Sequence, residues 1–246
     1  MPDGASTAPP ADGTDPRHLS LIVPVFNEAD NFPRLVAEVE RLVPQPFVLY
    51  MMYDFDGDTT LPVAQELATT RFWLKPTRNN IGRGAVNALK AGFQTVGTGP
   101  ALVVMADLSD DLTSVPQLLE LYRQGYQIVC PSRYMRGGRQ IGGPALKRFL
   151  SRCAGVSLHW FAGLPTHDAT NNFRLYDAAL VNQLGIESSG GFELALELTA
   201  KAFRRGVKIT EVPTTWRDRT AGESRFQLRK WLPKYFRWYW YALTGR

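Results

Sequence analysis

Three short polar segments hold the residues best suited to chemistry: Pro24-Val25-Phe26-Asn27-Glu28, Asp54-Phe55-Asp56-Gly57-Asp58 and Asp107-Leu108-Ser109-Asp110-Asp111. Taken singly, an acidic turn is most simply a helix cap or a solvated loop. Each of these closes or follows an apolar run of strand type, and in open α/β sheets ligands sit outside the carboxyl ends of the strands. Carboxylates gathered at one sheet edge repel each other unless a cation joins them, so the cluster suggests a divalent ion bridging to an anionic ligand. Mg2+ or Mn2+ on a diphosphate fits that description and would stabilise the charge on a departing nucleotide diphosphate. Asp107 is the first choice as ligand. Asp56 and Asp58 suit a ribose or base, and Asp54 suits either a ligand or a strand-end cap.

These segments need a frame of alternating strands and helices, and the pattern supplies one. Strands are expected at Leu21 to Val25, Phe47 to Tyr53, Phe72 to Leu74, Ala101 to Ala106 and Tyr126 to Pro131. Between them, Phe32, Leu35, Val36, Val39 and Leu42 fall at helical spacing, and helices are expected over Thr60 to Thr70, Gly84 to Val96 and Val115 to Arg123. Beyond Pro131 the repeat breaks into a glycine-rich loop (Gly137, Gly138, Gly142, Gly143), a helix from Pro144 to about Phe161 and a short strand near Asn172 to Leu175. A helix from Phe192 to Arg205 and a strand from Val207 to Val212 follow, and Gln227 to Leu243 is helical in period. The expected class is α/β: a Rossmann-like, mostly parallel sheet flanked by helices, ending in an amphipathic helix. Residues 1–18 are expected to be a disordered tail, 19–226 one domain, and 227–246 the aromatic and basic helix.

With 246 residues and 44% hydrophobic content the chain can bury one sizeable core. The 28 Lys and Arg against 23 Asp and Glu leave +5, which suits a phosphate-rich partner. No apolar run approaches the length of a bilayer span and no secretion signal opens the chain, so a cytoplasmic protein is expected, with any membrane contact peripheral. No nucleic-acid partner is expected. Cys130 and Cys153 lack metal-ligand spacing and read as reduced core residues. Gly82-Arg83-Gly84 lacks the spacing of a dinucleotide fingerprint; it is either a plain helix start or a loop lying over the nucleotide.

Seven segments in order, Val23 to Glu28, the Asp-rich segment after the second strand, Asn80 to Gly84, Ala106 to Ser109, Ser132-Arg133-Tyr134, Asn172 to Tyr176 and Gly222 to Arg225, together resemble family 2 glycosyltransferases, and within them the dolichol-phosphate mannose synthase branch. The resemblance spans roughly residues 19 to 226. It implies an inverting GT-A enzyme that takes a hexose from a GDP- or UDP-sugar with Mg2+ or Mn2+ and hands it to a polyprenyl phosphate. By motif position, Pro24, Phe26, Glu28 and Asp56 would line the nucleotide with Asp54, Asp58 and Gly82 nearby, Asp107 and Ser109 would hold the metal, and Arg133, Arg219 and Arg225 would grip phosphates. The chain departs from the branch at Tyr53-Asp54, where paired aspartates are usual, and at Met105, where the first Asp of Asp-x-Asp is usual.

An acceptor phosphate is already ionised at neutral pH and needs no strong base, whereas a hydroxyl acceptor would need one. Asp168, Glu193 and Glu197 are the candidates for that alternative, each with an equally simple role as a turn cap or helix face; His167 reads as structural. A third possibility is a degenerate nucleotide-sugar-binding subunit. Trp231, Tyr235, Phe236, Trp238, Tyr239, Trp240 and Tyr241 among Arg229, Lys230, Lys234 and Arg237 suit the headgroup level of a membrane, or packing on the core or a partner. A membrane-embedded partner subunit would supply an anchor.

Overall fold

The computed structural model describes residues 18–190, 193–218 and 228–245. The expected tail therefore lies almost wholly outside the described residues, as do Arg219, the Gly222 to Arg225 segment and Phe192.

The chain opens with Leu19–Pro24 (β1), Phe32–Leu42 (α1), Phe47–Tyr53 (β2), Thr60–Ala68 (α2), Leu74–Arg78 (β3), Ala85–Val96 (α3) and Pro100–Val103 (β4). Val115–Arg123 (α4), Ile128–Ser132 (β5), Arg139–Ile141 (β6), Ala145–Ala162 (α5), Arg174–Asp177 (β7) and Ala178–Leu184 (α6) follow. Leu194–Arg204 (α7), Ile209–Pro213 (β8), Thr215–Arg217 (β9) and Leu228–Thr244 (α8) complete it. Seven strands form one sheet in the order β3-β2-β1-β4-β7-β5-β8, while β6 and β9 pair separately. Within the large sheet β7 runs antiparallel to both β4 and β5, and the other pairs are parallel. This is the mostly parallel Rossmann-like α/β architecture of a GT-A-type fold.

Alternation along the central strands sorts side chains to two cores. Leu21, Val23, Phe47, Leu49 and Met51 pack with α1 residues Phe32, Leu35, Val36 and Val39. Their neighbours Ile22, Val48, Tyr50 and Met52 face α3, α6 and α7 through Leu89, Phe93, Val181 and Leu198. A third core joins α5, α7 and α8, with Leu158, Leu196, Ala200, Trp238 and Ala242 buried.

Several elements differ from expectation for identifiable reasons. β3 begins at Leu74 rather than Phe72, whose ring is 74% exposed. Its Lys-Pro-Thr-Arg sequence lacks an apolar signature, and Pro76 is tolerated because the strand lies at the sheet edge. β4 ends at Val103, since the Met105 N–H turns away to donate to the Asp110 carboxylate at 2.9 Å. β7 starts two residues later than expected and reverses direction, making the sheet mixed. β6 and β9, three residues each, carry too little pattern to be seen; β6 falls in the expected glycine-rich loop and β9 in a stretch where no element was expected. The seven-residue α6 is short too, and its start is fixed by Asp177, whose side chain accepts the Leu180 N–H at 2.9 Å.

α5 is the least buried long helix that bears on the site: only Gly155 and Leu158 are buried, and Leu146, Phe149, Trp160 and Phe161 are exposed. Gly155 is where it meets the 164–171 loop. A Cβ there would stand 2.1 Å from the His167 carbonyl oxygen, backbone that cannot swing aside. Gly155→Ala should therefore destabilise the protein by about 1–3 kcal/mol, read as a lower urea midpoint with an unchanged m-value.

Candidate active site

The loop after β4 bears the acidic residues, and its backbone explains how they face one cavity. Leu108 has φ +62°, a left-handed conformation costly for a branched side chain. It reverses the chain so that Asp107 and Ser109 lie on one side, with the Ser109 N–H donating to Asp107 Oδ1 at 3.2 Å. Asp110 Oδ2 closes the loop on Met105 N–H, and Asp111 caps the turn before α4 by accepting the Thr113 N–H at 3.1 Å. The Arg217 N–H of β9 donates to the Ser109 carbonyl at 3.1 Å and docks the small sheet over this loop.

Asp107, Ser109, Asp110, Arg133, Lys147 and Tyr235 are among the side chains lining a cavity of about 360 Å3. Burial, reinforced by the Asp107 charge, pushes the Asp110 carboxyl up to about 8. An uncharged Asp110 carboxyl is therefore favoured near neutral pH, and a cation bound at this loop would favour its ionised form. The Asp107 and Asp110 carboxylates and the Ser109 hydroxyl are hard oxygen donors that suit Mg2+ or Mn2+. Among the described residues no group of three or more His, Cys, Asp or Glu is arranged to hold a metal alone. A Mg2+-like ion needs no such cage, since one or two carboxylates and the ligand's phosphates serve it. Met105 offers no hard oxygen, so the donor set here starts at Asp107.

Arg133 is placed differently from expectation. Its Nε donates to Asp168 Oδ2 at 2.6 Å and its Nη2 to Asp168 Oδ1 at 2.9 Å, Thr170 Oγ1 at 3.1 Å and Ser151 Oγ at 3.2 Å. Asp168 is fully buried, and burial by itself would raise its carboxyl; the Arg133 guanidinium outweighs that and holds it below the ordinary range. The phosphate-gripping edge of Arg133 is therefore mostly engaged internally, and Nη1, with no hydrogen bond among the described residues, is what remains for a ligand. Ser151, Thr170 and Lys147 escaped the sequence reading. A signal existed for part of this wall: Lys147, Leu150, Ser151 and Ala154 repeat at one-face helical spacing on α5 and all line the cavity.

The residues expected around a nucleotide gather at the ends of β1 and β2 and do not line that cavity. Phe26, 43% exposed, lies 5.8 Å from Phe55, and the Arg83 guanidinium sits 5.2 Å over the Phe55 ring. This open aromatic and cationic cluster is suited to a flat base. Asp54 acts as the alternative cap: its oxygens accept the Asn79 amide at 2.8 Å and the Gly84 N–H at 2.6 Å, shaping the loop around Gly82, whose φ is +148°. Asp58 is buried and accepts the backbone N–H groups of Asn27 and Thr60, so it staples two loops and is not open to a ligand. Asp56 is exposed and pairs with Arg78 at 3.0 Å. Glu28 accepts the Asn31 amide at 2.8 Å and shares no lining with Asp107 and Arg133, and Pro24 is buried at the end of β1. Arg219 and Arg225 lie outside the described residues.

Of the candidate bases Asp168 and Glu197 are committed, and Glu193 is engaged through one oxygen only. Asp168 holds Arg133, while Glu197 accepts the Glu187 and Ser188 N–H groups and pairs with Lys201 at 2.6 Å. Glu193 is buried and accepts the Gly190 N–H at 2.8 Å. His167 pairs with Glu211 at 2.5 Å and does not line the cavity. Cys153, expected in the core, is exposed on α5, where the helix face turns outward.

Because Asp168 is the anionic half of a buried pair, Asp168→Ala should cost about 3–5 kcal/mol by stranding the Arg133 charge. A carboxyl depressed in the folded state contributes stability above its unfolded value, about pH 4, and loses it as pH falls through the folded value. Wild-type urea midpoints should drop on acidification below that point, and the variant should lack this component.

Residues 20–185 match the family model for glycosyl transferase family 2. The chain is 28% identical over 214 residues to a polyprenol monophosphomannose synthase of Mycolicibacterium smegmatis, covering 83% of this chain and 79% of that protein. It is 26% identical over 209 residues to an undecaprenyl-phosphate mannosyltransferase of Micrococcus luteus, covering 83% and 85%. In fold it is similar to glucosyl-3-phosphoglycerate synthase from Mycobacterium tuberculosis, crystallised with Mn2+, UDP and glucosyl-3-phosphoglycerate, at TM-score 0.66 and 15% identity over 99% of this chain and 86% of that one. With two thirds of its length matching the family model and its fold agreeing, the chain belongs to glycosyl transferase family 2.

Proposed function

We propose that this protein is an inverting GT-A enzyme that transfers a hexose from a nucleotide diphosphate sugar to a phosphate-bearing acceptor seated in the Asp107 cavity. The observation that carries this is the cavity's two-sided wall: Asp107, Ser109 and Arg133 on the sheet rim, and Lys147, Leu150, Ala154 and Leu232 on α5 and α8. The nucleotide lies toward Phe26, Phe55 and Arg83, and the diphosphate reaches the Asp107 loop. A divalent cation there supplies Lewis-acid stabilisation of the leaving diphosphate. Asp107 and Ser109 would hold the metal-bearing end of the diphosphate, and Asp110 would add a second carboxylate once the cation displaces its proton. Lys147 and the remaining Arg133 nitrogen attract the acceptor's phosphate, and in-line placement does the rest. GDP-mannose and UDP-glucose are the donors to try first, from the relatives' products and the UDP of the crystallised synthase.

Two acceptor classes share the phosphate. A small hydroxyl-bearing phosphorylated acid is favoured by the likeness of fold to the phosphoglycerate enzyme along nearly the whole chain. A polyprenyl phosphate is favoured by the names of the two sequence relatives. The exposed Leu146, Phe149, Leu232 and Phe236 of α5 and α8, with Arg148 and Arg152 alongside, add a surface suited to lipid headgroups and chains. No helix among the described residues is long and apolar enough to cross a membrane, so that contact would be peripheral.

Incubation with radiolabelled GDP-mannose or UDP-glucose, Mn2+ and either polyprenyl phosphate or 3-phosphoglycerate separates these outcomes. An organic-extractable product identifies the lipid phosphate, and a water-soluble one the hydroxyl acid. Asp107→Ala should lower transfer at least about 100-fold. Absence of metal-dependent transfer with both acceptors, from both donors, would overturn the proposal.

A further inference from the structure

Adjacent asparagines before β7 behave oppositely. Asn171 is engaged at both ends: its Nδ2 donates to the Pro131 carbonyl at 3.1 Å and its Oδ1 accepts the Phe173 N–H at 3.3 Å. Asn172 makes no side-chain hydrogen bond among the described residues, and its Oδ1 is buried without a partner. The residue is half-buried, and a buried amide oxygen is seldom left unpaired unless something outside the chain completes it. Arg174, Ser188, Glu193 and Thr214 also carry an unpartnered buried atom but do not line the Asp107 cavity, whereas Asn172 does.

The strand register says where in the cavity this amide stands. β7 pairs antiparallel with β4, and Val103 lies opposite Arg174. Just beyond that last pair the two chains leave the ladder, and Asn172 and Met105 line the same cavity, at the start of the loop that presents Asp107 and Ser109. Resting on the proposed sugar-nucleotide chemistry, that is the place where the diphosphate ends and the hexose begins. Met105 offers nothing polar to a sugar there, but an amide carries a donor and an acceptor together, the pair needed by a hydroxyl that itself donates and accepts. We infer that Asn172 is a specificity-determining residue that hydrogen-bonds a hydroxyl of the transferred hexose. Asn171 fixes the backbone on which it stands, so the amide is presented from a rigid strand start.

The test is binding, without acceptor or turnover, of GDP-mannose against GDP-glucose and UDP-glucose against UDP-galactose in the presence of Mn2+, with GDP and UDP as sugar-free controls. Wild type should prefer one epimer of a pair. Asn172→Ala should shrink that preference about tenfold or more, because a site built to bond a hydroxyl discriminates strongly against ligands that misplace it. Its affinity for GDP and UDP should be unchanged, which also reports an intact fold. An undiminished preference in the variant, no epimer preference in wild type, or an equal loss for the sugar-free nucleotides would overturn the assignment while leaving the transferase reading in place. Failure of wild type to bind any of these sugar nucleotides would instead bring down the transferase reading, and this inference with it.

Discussion

The loop after β4 brings the Asp107 and Asp110 carboxyls together on one wall of the cavity, and much of the architecture bears on how that acidic pair is satisfied. Asp107 and Asp110 share a short reversal at the rim of a buried sheet, where water screens them poorly. Each of the neighbouring parts bears on the same pair. β9 fixes the Ser109 carbonyl, Arg133 stands across the cavity clamped by Asp168, and α5 brings Lys147 to the far wall. On the proposed function, a divalent ion accompanied by a diphosphate would satisfy the carboxyls, and the basic wall would serve a second anionic group.

The acidic residues divide their labour by hydrogen bonding more than by type. Asp54, Asp58 and Asp111 are occupied with backbone N–H groups and hold loops in place, while Asp107 accepts the Ser109 N–H and still lines the cavity. The left-handed backbone at Leu108, and that of Asn27 at φ +56°, lie in the two loops closest to this chemistry. Strain there is sustained by the surrounding bonds, among them the two that Asp58 accepts from Asn27.

Most of the frame was legible in the sequence because buried central strands announce themselves: Leu21 to Val23 and Phe47 to Tyr53 could hardly be anything else. The edge strand at Leu74–Arg78 hid behind Pro76 and polar neighbours, and Arg139–Ile141 and Thr215–Arg217 were too short to carry a period. Asp107 and Ser109 stood out by position after a strand. Arg133 was found, but its partner was not foreseeable, since Asp168 is 35 residues away and the two meet only through the order of β5 and β7. Asp58 looked like a ligand because a buried staple and an open carboxylate have the same one-letter sequence. The role of Lys147 and Ser151 depends on which way α5 faces, a matter settled by Gly155 packing on the His167 backbone.

The proposed chemistry requires a cation held by Asp107. Titrating Mn2+ by its electron paramagnetic resonance signal, with GDP or UDP present, tests this without any acceptor. Tight, nucleotide-assisted Mn2+ uptake by the wild-type protein that is lost in Asp107→Ala, with the folded state intact by circular dichroism, is the predicted result. Equal Mn2+ uptake by both proteins, or none by either with both nucleotides, would contradict it.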